Sequence, residues 1–438
     1  MNKTNVQLSD FGVNIPKIIL PVKGVDLQKW AVIACDQYTQ DAAYWEGVAS
    51  FVGEAPSTLN MIYPEIHLDS GDRAGRIERI HKTMRTYVEK IYSSNAVLNP
   101  PRQAGAYIER TTLHGTRAGL LLAIDLESYD WRADSQTIIR ATEDTLPERL
   151  PPRMEIRKRA ALELPHILLL IDDHENILTS LLEKLLARAP VAYDTPLMMG
   201  GGSIRCKLLY RKNDWALIRD VFEHLARLSI NRYKTDKPFL FAVGDGNHSL
   251  AAAKAVWDEY KTAHQGELDT ENHPARYAMA EIVNLHDPAI VFEPIHRIVF
   301  NTDMDRILKV FAALPGFYSE ETGGIEQLRR MVADTSAPEN RFGVVSGGRC
   351  VLVKCSGSKL LTACIDPLLA GIKTDYIHGE GELLRLAGQG GVGILLPPFN
   401  KQGLFKTIVT DGPMPRKSFS MGDADEKRFY LEARPLFE

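Results

Sequence analysis

Apolar residues recur along the chain with two different periods, and these periods separate the predicted helices from the predicted strands. In residues 72–91 the apolar side chains fall three or four positions apart, among them Ile77, Ile80 and Met84, which predicts an amphipathic helix. Residues 107–125 instead hold two strand-like runs around a His-Gly turn, so we expect two adjoining strands there.

The same periods predict the other elements. Strands are expected at residues 136–141, 166–172, 238–243, 277–284, 289–299, 391–396 and 428–434, with three short strands in 341–366. Helices are expected at residues 153–163, 174–187, 214–230, 249–263, 304–314 and 323–333, and a loop at 198–204. Because helices and strands mix without strict alternation, the pattern favours the α+β class with mixed sheets over a doubly wound sheet.

Chain length sets the expected number of domains. The 438 residues are enough for two or three domains. A break in the pattern near residue 300 predicts an N-terminal α+β region over residues 1–300 and a smaller C-terminal α+β region over residues 301–438.

Composition and charge exclude several classes of protein. The net charge of −4, from 52 basic and 56 acidic residues, argues against general nucleic-acid binding. No apolar run approaches the ~20 residues that span a bilayer, and the N-terminus lacks the apolar core of a signal peptide, so we expect a cytoplasmic protein with no membrane partner. The five scattered cysteines form no CxxC pair, and nothing signals zinc, haem or flavin.

The stretch FAVGDGNHSLAAAK, residues 241–254, concentrates polar chemistry between a predicted strand and a predicted helix. The first amides of a helix lack internal partners and carry the positive end of its dipole, so this geometry favours an anion site. The stretch matches neither a Walker A loop nor the GxGxxG fingerprint. The simpler alternative is a helix cap from Asn247 or Ser249 and a turn at Asp245, but five such residues in six positions favour function.

Four segments in order resemble the motifs of a bacterial and archaeal family, domain-of-unknown-function family 1015. IRATEDT resembles its HExT segment, FAVGDGNHSLAAAK its ADGHHRYETA signature, FEPIHRIV its LPTHRL segment and MPRKS its MPxKST segment. Asn247 stands where the family more often has a histidine and Ser249 where it has an arginine, whereas His248 keeps the second histidine. Loss of the arginine removes a bidentate phosphate clamp, which leaves open whether the activity is altered or lost.

The family's DGHHR motif is in turn similar to the phosphate-binding motif of the ParB/sulfiredoxin superfamily. That superfamily includes nucleotide-binding ParB proteins, ATP-using sulfiredoxins and free serine kinases, which phosphorylate L-serine. The resemblance implies a ParB/sulfiredoxin-like phosphate-binding core, with ATP or ADP and Mg²⁺ as ligands and a small-molecule metabolite as substrate. In those proteins the motif lies at a strand-to-helix turn, which the pattern of residues 239–254 predicts independently.

Two further clusters are candidates for the same site. Arg140, Glu143 and Thr145 follow a predicted strand, where Glu143 can bind Mg²⁺ or take a proton and Arg140 can neutralise charge. The alternative for that cluster is a solvated turn with a capping residue. Arg157, in the basic run RMEIRKR, is the member best placed to reach a pocket, although such runs are commonly solvated faces.

Further candidates lie elsewhere along the chain. His296 and Arg297 end a predicted strand in FEPIHRIV, and Lys417 and Ser418 lie in the loop MPRKS. Each pair can contact phosphate, or can be structural or simply exposed. Asp36 follows a predicted strand in ACDQYTQ, at a place where the serine kinases that the family resembles hold substrate-binding groups.

Together these residues predict a serine kinase-like phosphoryl-transfer enzyme that acts on a small hydroxylated or phosphorylated metabolite. Phosphate would be held by helix amides and by Gly244, Gly246, Asn247 and Ser249. Asp245 or Glu143 would hold Mg²⁺ or act as the base, and His248 would act as acid, base or phosphate donor. The alternatives are a non-catalytic nucleotide-binding regulatory protein and a metal-dependent phosphatase that uses Asp245, His248 and Glu143. Assembly into a homo-oligomer stays open.

Overall fold

A computed structural model describes residues 7–68, 71–266, 272–334, 339–357 and 360–437 of the chain. The chain divides into two compact units, the first formed by residues 1–290 and 423–438 and the second by residues 291–422. This division differs from the predicted boundary at residue 300. The strand that crosses that region pairs with strands of the second unit, and the C-terminal segment pairs with strands of the first.

The described residues form twelve α-helices and 23 strands. The helices are α1 (Leu27–Trp30), α2 (Ala42–Val52), α3 (Arg73–Glu89), α4 (Leu150–Arg157), α5 (Ile177–Leu186), α6 (Lys212–Tyr233), α7 (Asn247–Ala263), α8 (Met304–Phe311), α9 (Ile325–Ala333), α10 (Leu361–Ile365), α11 (Glu380–Gly388) and α12 (Leu404–Asp411). The strands are β1 (Val13–Asn14), β2 (Lys17–Ile18), β3 (Val32–Ile33), β4 (Arg102–Gln103), β5 (Gly105–Thr112), β6 (Gly115–Asp125), β7 (Tyr129–Asp130), β8 (Ile139–Ala141), β9 (Leu162–Glu163), β10 (Ile167–Ile171), β11 (Val191–Pro196), β12 (Ser203–Leu209), β13 (Phe241–Asp245), β14 (Tyr277–Asn284), β15 (Phe292–Val299), β16 (Tyr318–Glu321), β17 (Asn340–Ser346), β18 (Arg349–Cys355), β19 (Thr374–His378), β20 (Val392–Leu395), β21 (Phe419–Met421), β22 (Phe429–Tyr430) and β23 (Arg434–Pro435).

The first unit is built on a ten-stranded mixed sheet. Its strand order is β11-β12-β5-β6-β14-β10-β13-β8-β7, and β1 pairs with β6. The pairs β10/β14, β13/β8 and β7/β8 are parallel, and the others are antiparallel. β10 lies in the interior of the sheet with all five residues buried, which explains its unbroken apolar run.

Strand direction brings three chain segments to one end of this sheet. β8 and β13 are parallel, so their carboxyl ends lie side by side, while the antiparallel pairing of β13 with β10 sets Asp245 opposite Leu168. The ends of β8 and β13 therefore meet the start of β10. The antiparallel pair β3/β22 is a separate two-stranded ribbon whose neighbouring residues also reach this end, as the site contacts below show.

The second unit holds a seven-stranded sheet of order β16-β18-β17-β20-β15-β19, with β21 paired to β15. Apolar residues are buried on both of its faces: Val344 and Ile394 belong to one core cluster, and Val345 and Leu395 belong to another. Helices α8 and α10 contribute to the first cluster, and α9 and α11 to the second.

The predicted α+β class with mixed sheets is confirmed. The helix expected over 72–91 is α3, and the two strands expected over 107–125 are β5 and β6. The third strand expected within 341–366 is wrong, because residues after β18 form the short helix α10. The single strand expected over 428–434 is the two short strands β22 and β23, each paired with a different partner. None of the described helices has the length and apolar character needed to cross a bilayer.

Candidate functional site

The turn from β13 to α7 adopts the geometry expected of GDGNHS. Gly246 has a φ of +83°, and a Cβ there would lie 3.1 Å from Ile167 Cγ1, so both backbone conformation and space favour glycine. The Gly246 amide donates to Asp245 Oδ1 at 3.0 Å. The N-cap residue of α7 is Gly246, which has no side chain to cap the helix, whereas Asp41 caps α2 with its carboxylate. The predicted strand–turn–helix geometry is therefore present.

The segment that follows β8 is bonded directly to this turn. The Thr142 amide donates to Asn247 Oδ1 at 3.2 Å, and Asn247 Nδ2 donates to Thr142 Oγ1 at 3.1 Å. The Leu146 amide donates to His248 Nε2 at 3.3 Å. A nitrogen that accepts carries no proton, so the His248 proton lies on Nδ1. Asn247, a predicted phosphate ligand, uses its amide to join two segments of the chain.

Asp245 faces a buried cation that sequence analysis did not single out. Lys427 Nζ lies 3.7 Å from Asp245 Oδ2, and the side chain of Lys427 is 8% exposed. Asp245 Oδ2 is buried without a hydrogen-bond partner among the described residues. This carboxylate oxygen therefore faces the charge of Lys427 and accepts no hydrogen bond from the described residues.

Ser249 begins a chain of hydrogen-bonded polar groups. Its Oγ lies 2.9 Å from His166 Nε2, and His166 Nδ1 lies 3.0 Å from the Tyr430 hydroxyl. That hydroxyl donates to Cys35 Sγ at 3.1 Å, so it accepts from Nδ1–H of His166. Nε2 of His166 is then left to accept a proton from a hydroxyl. Burial is the main cause that raises the pKa of Cys35, which keeps that thiol protonated.

Asp36 is a further carboxylate at this end of the sheet, and its pKa is lowered by its neighbours. Burial alone would raise its pKa, but the proximity of His166, a hydrogen bond from Gln37 and the charge of Lys427 lower it below the ordinary value. Lys427 therefore lies near two carboxylates: its charge contributes to the lowered pKa of Asp36, and its Nζ lies 3.7 Å from Asp245 Oδ2.

A cavity of about 140 Å³ reaches the first turn of α7. Ser249 and Ala252, one turn apart on the helix, line it together with His166 and Tyr430. Its other walls are mostly apolar and include residues from three segments: Met61, Ile62, Leu68, Ile156, Leu162 and Leu436. A cavity of this size accommodates a small molecule of roughly benzene size.

Two ion pairs form the charged part of the cavity wall. Arg157 donates to Glu163 Oε1 at 2.5 Å and to the Tyr277 carbonyl at 3.0 Å. Arg153 pairs with Glu65. Burial is the largest influence on Glu65 and raises its pKa, against the opposing charge of Arg153. Arg157 thus reaches the pocket as predicted for it, with its charge already paired to Glu163.

Arg140 lies apart from the GDGNHS turn, whereas Glu143 and Thr145 lie in the segment that is bonded to it. Arg140 is buried, its guanidinium lies 4.6 Å from the Phe239 ring centre, and Nε donates to the Thr137 carbonyl at 2.9 Å. These partners precede β8 and β13, whereas the GDGNHS turn follows β13. Glu143 is half-buried in the segment bonded to that turn, and Thr145 has a buried hydroxyl without a hydrogen-bond partner among the described residues.

His296 and Arg297 lie in the second unit, on β15, and both make hydrogen bonds within that unit. His296 Nδ1 accepts from the Leu396 amide at 3.1 Å. Arg297 is fully buried and makes two hydrogen bonds to Asp366, of 2.9 and 2.8 Å, and another to the Lys417 carbonyl at 3.0 Å. The Asp366 carboxylate therefore compensates the buried charge of Arg297, and the two residues form a structural ion pair.

Lys417 and Ser418 lie beside Arg297 in the same unit. Lys417 has a φ of +60° and an exposed side chain. The Ser418 hydroxyl lies 2.9 Å from Thr362 Oγ1 and donates to the Pro415 carbonyl at 2.6 Å. Of these two predicted phosphate contacts, Lys417 presents its side chain to solvent and Ser418 is engaged in the fold.

We predict that His296 makes the stability of the second unit depend on pH. Burial is the main cause that lowers its pKa to about 4 from the ordinary value of 6.5. Between pH 6.5 and pH 4 the unfolded chain therefore binds a proton at His296 that the folded chain does not bind. The contribution of His296 to the free energy of unfolding is fully present above pH 6.5 and decreases as pH falls toward 4. The expected loss is about 3 kcal/mol.

Hydrogen exchange of β15 measured between pH 7 and pH 4 tests this prediction. In the variant His296→Asn, the side-chain oxygen can replace Nδ1 as the acceptor but does not titrate, so its loss of protection over this range should be smaller. Identical pH profiles for the wild type and the variant would contradict the prediction.

Sequence analysis missed two residues of the candidate site in the first unit, His166 and Lys427. His166 directly precedes the apolar run of β10, and Lys427 precedes β22, so each is a polar residue at the start of a buried strand. A polar residue at the start of a buried strand was the one local feature of the sequence that could have marked them as candidates. Their proximity to Asp245 and Ser249 depends on pairings between segments more than 80 and 170 residues apart, which no local pattern reveals.

Comparison with known proteins identifies the family. The family model described as "Protein of unknown function (DUF1015)" matches residues 19–370. No curated protein sequence matches the chain significantly. Similar solved structures include a free serine kinase variant in complex with AMP, with 10% identity, 72% of this chain and 92% of that chain covered, and a TM-score of 0.38.

Two other solved structures show comparable similarity. SbnI with a C-terminal truncation, from Staphylococcus aureus, has 10% identity, coverage of 71% of this chain and 82% of that chain, and a TM-score of 0.35. A conserved hypothetical protein from Pyrococcus furiosus has 10% identity, coverage of 71% and 90%, and a TM-score of 0.34. Three of the four motifs lie within the matched residues, and MPRKS lies beyond them. Because the family model spans most of the chain, the suspected family is confirmed, and the chain belongs to the DUF1015 family of proteins of unknown function.

Proposed function

We propose that the first unit transfers a phosphoryl group between a nucleotide and the hydroxyl of a small metabolite, in the manner of a serine kinase. One observation carries the proposal: Ser249 lies in the first turn of α7, whose N-cap residue is Gly246, and also lines the cavity. A phosphate at the helix start and a small molecule in the cavity would therefore be neighbours, as direct transfer requires.

The phosphate groups would be held by the backbone at the start of α7. The left-handed Gly246 immediately before α7 gives the strand–turn–helix geometry that binds anions at helix N-termini. Lys427 supplies positive charge nearby, and the buried hydroxyl of Thr145 supplies a further donor in the adjoining segment. Phosphoryl transfer depends mainly on such positioning and charge neutralisation.

The acceptor hydroxyl would approach from the cavity and meet His166. The Nε2 atom that accepts from Ser249 is suited to take a proton from a ligand hydroxyl placed beside Ser249. Tyr430 holds the ring orientation through Nδ1, and Asp36 stabilises the positive charge that His166 gains. In this arrangement His166 takes the role of base that sequence analysis gave to Asp245 or Glu143.

Asp245 fits the requirement for Mg²⁺, because its Oδ2 is a buried carboxylate oxygen without a hydrogen-bond partner among the described residues. A bound Mg²⁺ would be held by Asp245 together with phosphate oxygens and water, with Glu143 in the adjoining segment, and would neutralise phosphate charge. Asp245 and Glu143 do not belong to a group of three protein ligands among the described residues, which suits a cation that takes most of its ligands from phosphate and water.

Thermal denaturation of the full chain with ATP, ADP, phosphoserine or inorganic phosphate, each with and without Mg²⁺, tests ligand binding. A nucleotide at 100 times its Kd should stabilise the folded protein by about 2.7 kcal/mol and raise its Tm. We expect Asp245→Asn to lose the Mg²⁺-dependent part of the shift. The control Asp258→Asn, the same change farther along α7, should keep it.

Other outcomes separate the alternatives. Equal nucleotide shifts in the wild type and Asp245→Asn, with and without Mg²⁺, would contradict the assignment of Asp245. A nucleotide shift without phosphoserine formation from ATP or ADP and L-serine would favour the regulatory protein. A shift with phosphoserine or phosphate and none with nucleotide would favour the phosphatase.

A further inference from the structure

Two histidines and an aspartate meet at the other end of the sheet of the first unit. Asp172 and His174 follow β10, and His286 follows β14. Because β10 and β14 are parallel neighbours, their carboxyl ends lie together. Asp245 pairs with the start of β10, so these three residues and the proposed phosphoryl-transfer site occupy opposite ends of the sheet.

The three side chains already converge on one point. Asp172 Oδ1 lies 2.6 Å from His286 Nε2 and 3.2 Å from His174 Nε2, and the two imidazole ring centres lie 3.8 Å apart. All three ligand atoms lie within 4.8 Å of one another. Ligand atoms of a tetrahedral site with bonds of about 2.0–2.1 Å lie about 3.3 Å apart. Movement of the His286 ring by less than about 1 Å would therefore admit a metal ion.

Surrounding residues hold this arrangement in place. Asp172 Oδ2 accepts from Tyr233 and Arg232, so the carboxylate is fixed with Oδ1 directed at the two imidazoles. The His286 amide donates to Asn284 Oδ1 at 3.1 Å. Outer contacts of this type orient metal ligands in proteins.

An independent observation is a buried carboxyl group beside these ligands in the chain, which interacts electrostatically with His174. Asp173, adjacent to both Asp172 and His174 in the chain, is fully buried, and its Oδ1 has no hydrogen-bond partner among the described residues. A buried carboxylate oxygen left without a partner is costly unless positive charge lies near it. The Arg232 cation compensates Asp172, and a bound cation would compensate Asp173.

We propose that Asp172, His174 and His286 bind a divalent transition-metal ion of the zinc class. Two imidazole nitrogens with one carboxylate oxygen are the donors that zinc prefers, whereas Mg²⁺ prefers oxygen ligands alone. His174 is half-exposed, which leaves solvent access for a fourth ligand. Three protein ligands with an open position are the arrangement of sites that bind water or an exogenous ligand.

Titration of the EDTA-treated full chain with Co²⁺ and with Zn²⁺ tests the site without reference to any activity. We expect one Co²⁺ per chain with visible absorption typical of low coordination number, displaced by Zn²⁺. His174→Gln and His286→Gln should each weaken binding more than the 10–100-fold that loss of an outer contact costs. Tyr233→Phe should fall within that 10–100-fold range.

The exposed His224 on α6 provides the matched control, and His224→Gln should bind like the wild type. Because His174 is half-exposed, its variant should keep the wild-type Tm without metal, which separates loss of a ligand from loss of the fold. Absence of stoichiometric binding by the wild type, or unchanged affinity in both ligand variants, would overturn the proposal.

Discussion

His166→Asn is expected to abolish most phosphoryl transfer while nucleotide binding persists. Asparagine cannot take a proton from a hydroxyl at neutral pH, and loss of a positioned base typically slows a reaction 10²–10⁴-fold. The nucleotide phosphates would still meet the turn at Gly246 and the charge of Lys427. Turnover should therefore decrease while the Kd for nucleotide changes little.

The measurement is phosphoserine formed from ATP or ADP and L-serine, compared with nucleotide-induced thermal shifts of the same variant. His224→Asn, at an exposed position on α6, is the matched control and should retain wild-type turnover. Tyr430→Phe removes the hydroxyl that orients His166 and should give a smaller decrease. Turnover of His166→Asn within a fewfold of the wild type would contradict the assigned role.

Arg428→Met is expected to destabilise the first unit by about 3–5 kcal/mol. Arg428 is buried between Glu281 and Glu432, at 2.9 and 2.8 Å from their carboxylate oxygens. All three side chains are at most 1% exposed. Without the guanidinium, two buried carboxylates would lie close together without the cation that pairs them, and each would resist ionisation.

All five tryptophans of the chain belong to the first unit, so denaturant unfolding followed by tryptophan fluorescence reports on that unit. The control is Arg79→Met, which removes an arginine whose pair with Asp72 is more than half exposed. That change should cost less than about 1 kcal/mol. Equal destabilisation by the two substitutions would contradict the importance of the buried ion pair.

Local sequence patterns were sufficient to predict the strand–turn–helix element that carries the candidate site. The apolar run before Gly244, the glycines and the alanine-rich segment after Ser249 determine β13 and α7 without reference to distant residues. The motif IRATEDT was likewise recognised, and parallel pairing of β8 with β13 explains why it bonds to the same turn.

The contacts that the sequence could not predict depend on pairing between segments that are far apart in the chain. Lys427 reaches Asp245 only because the C-terminal segment pairs with β3, nearly 400 residues earlier in the chain. His166 reaches Ser249 because β10 runs antiparallel to β13. Conversely, their places in the motifs GDGNHS and FEPIHRIV made Asn247 and Arg297 candidate phosphate ligands, but their polar groups are engaged by Thr142 and Asp366.

The location of phosphate in a crystal of the full chain grown with ADP and Mg²⁺ tests the central claim most directly. We predict that the phosphate oxygens lie within hydrogen-bond distance of the amides in the first turn of α7, with Mg²⁺ against Asp245. Phosphates bound elsewhere on the chain, or no nucleotide bound at millimolar ADP, would contradict the assignment of this turn as the phosphate site.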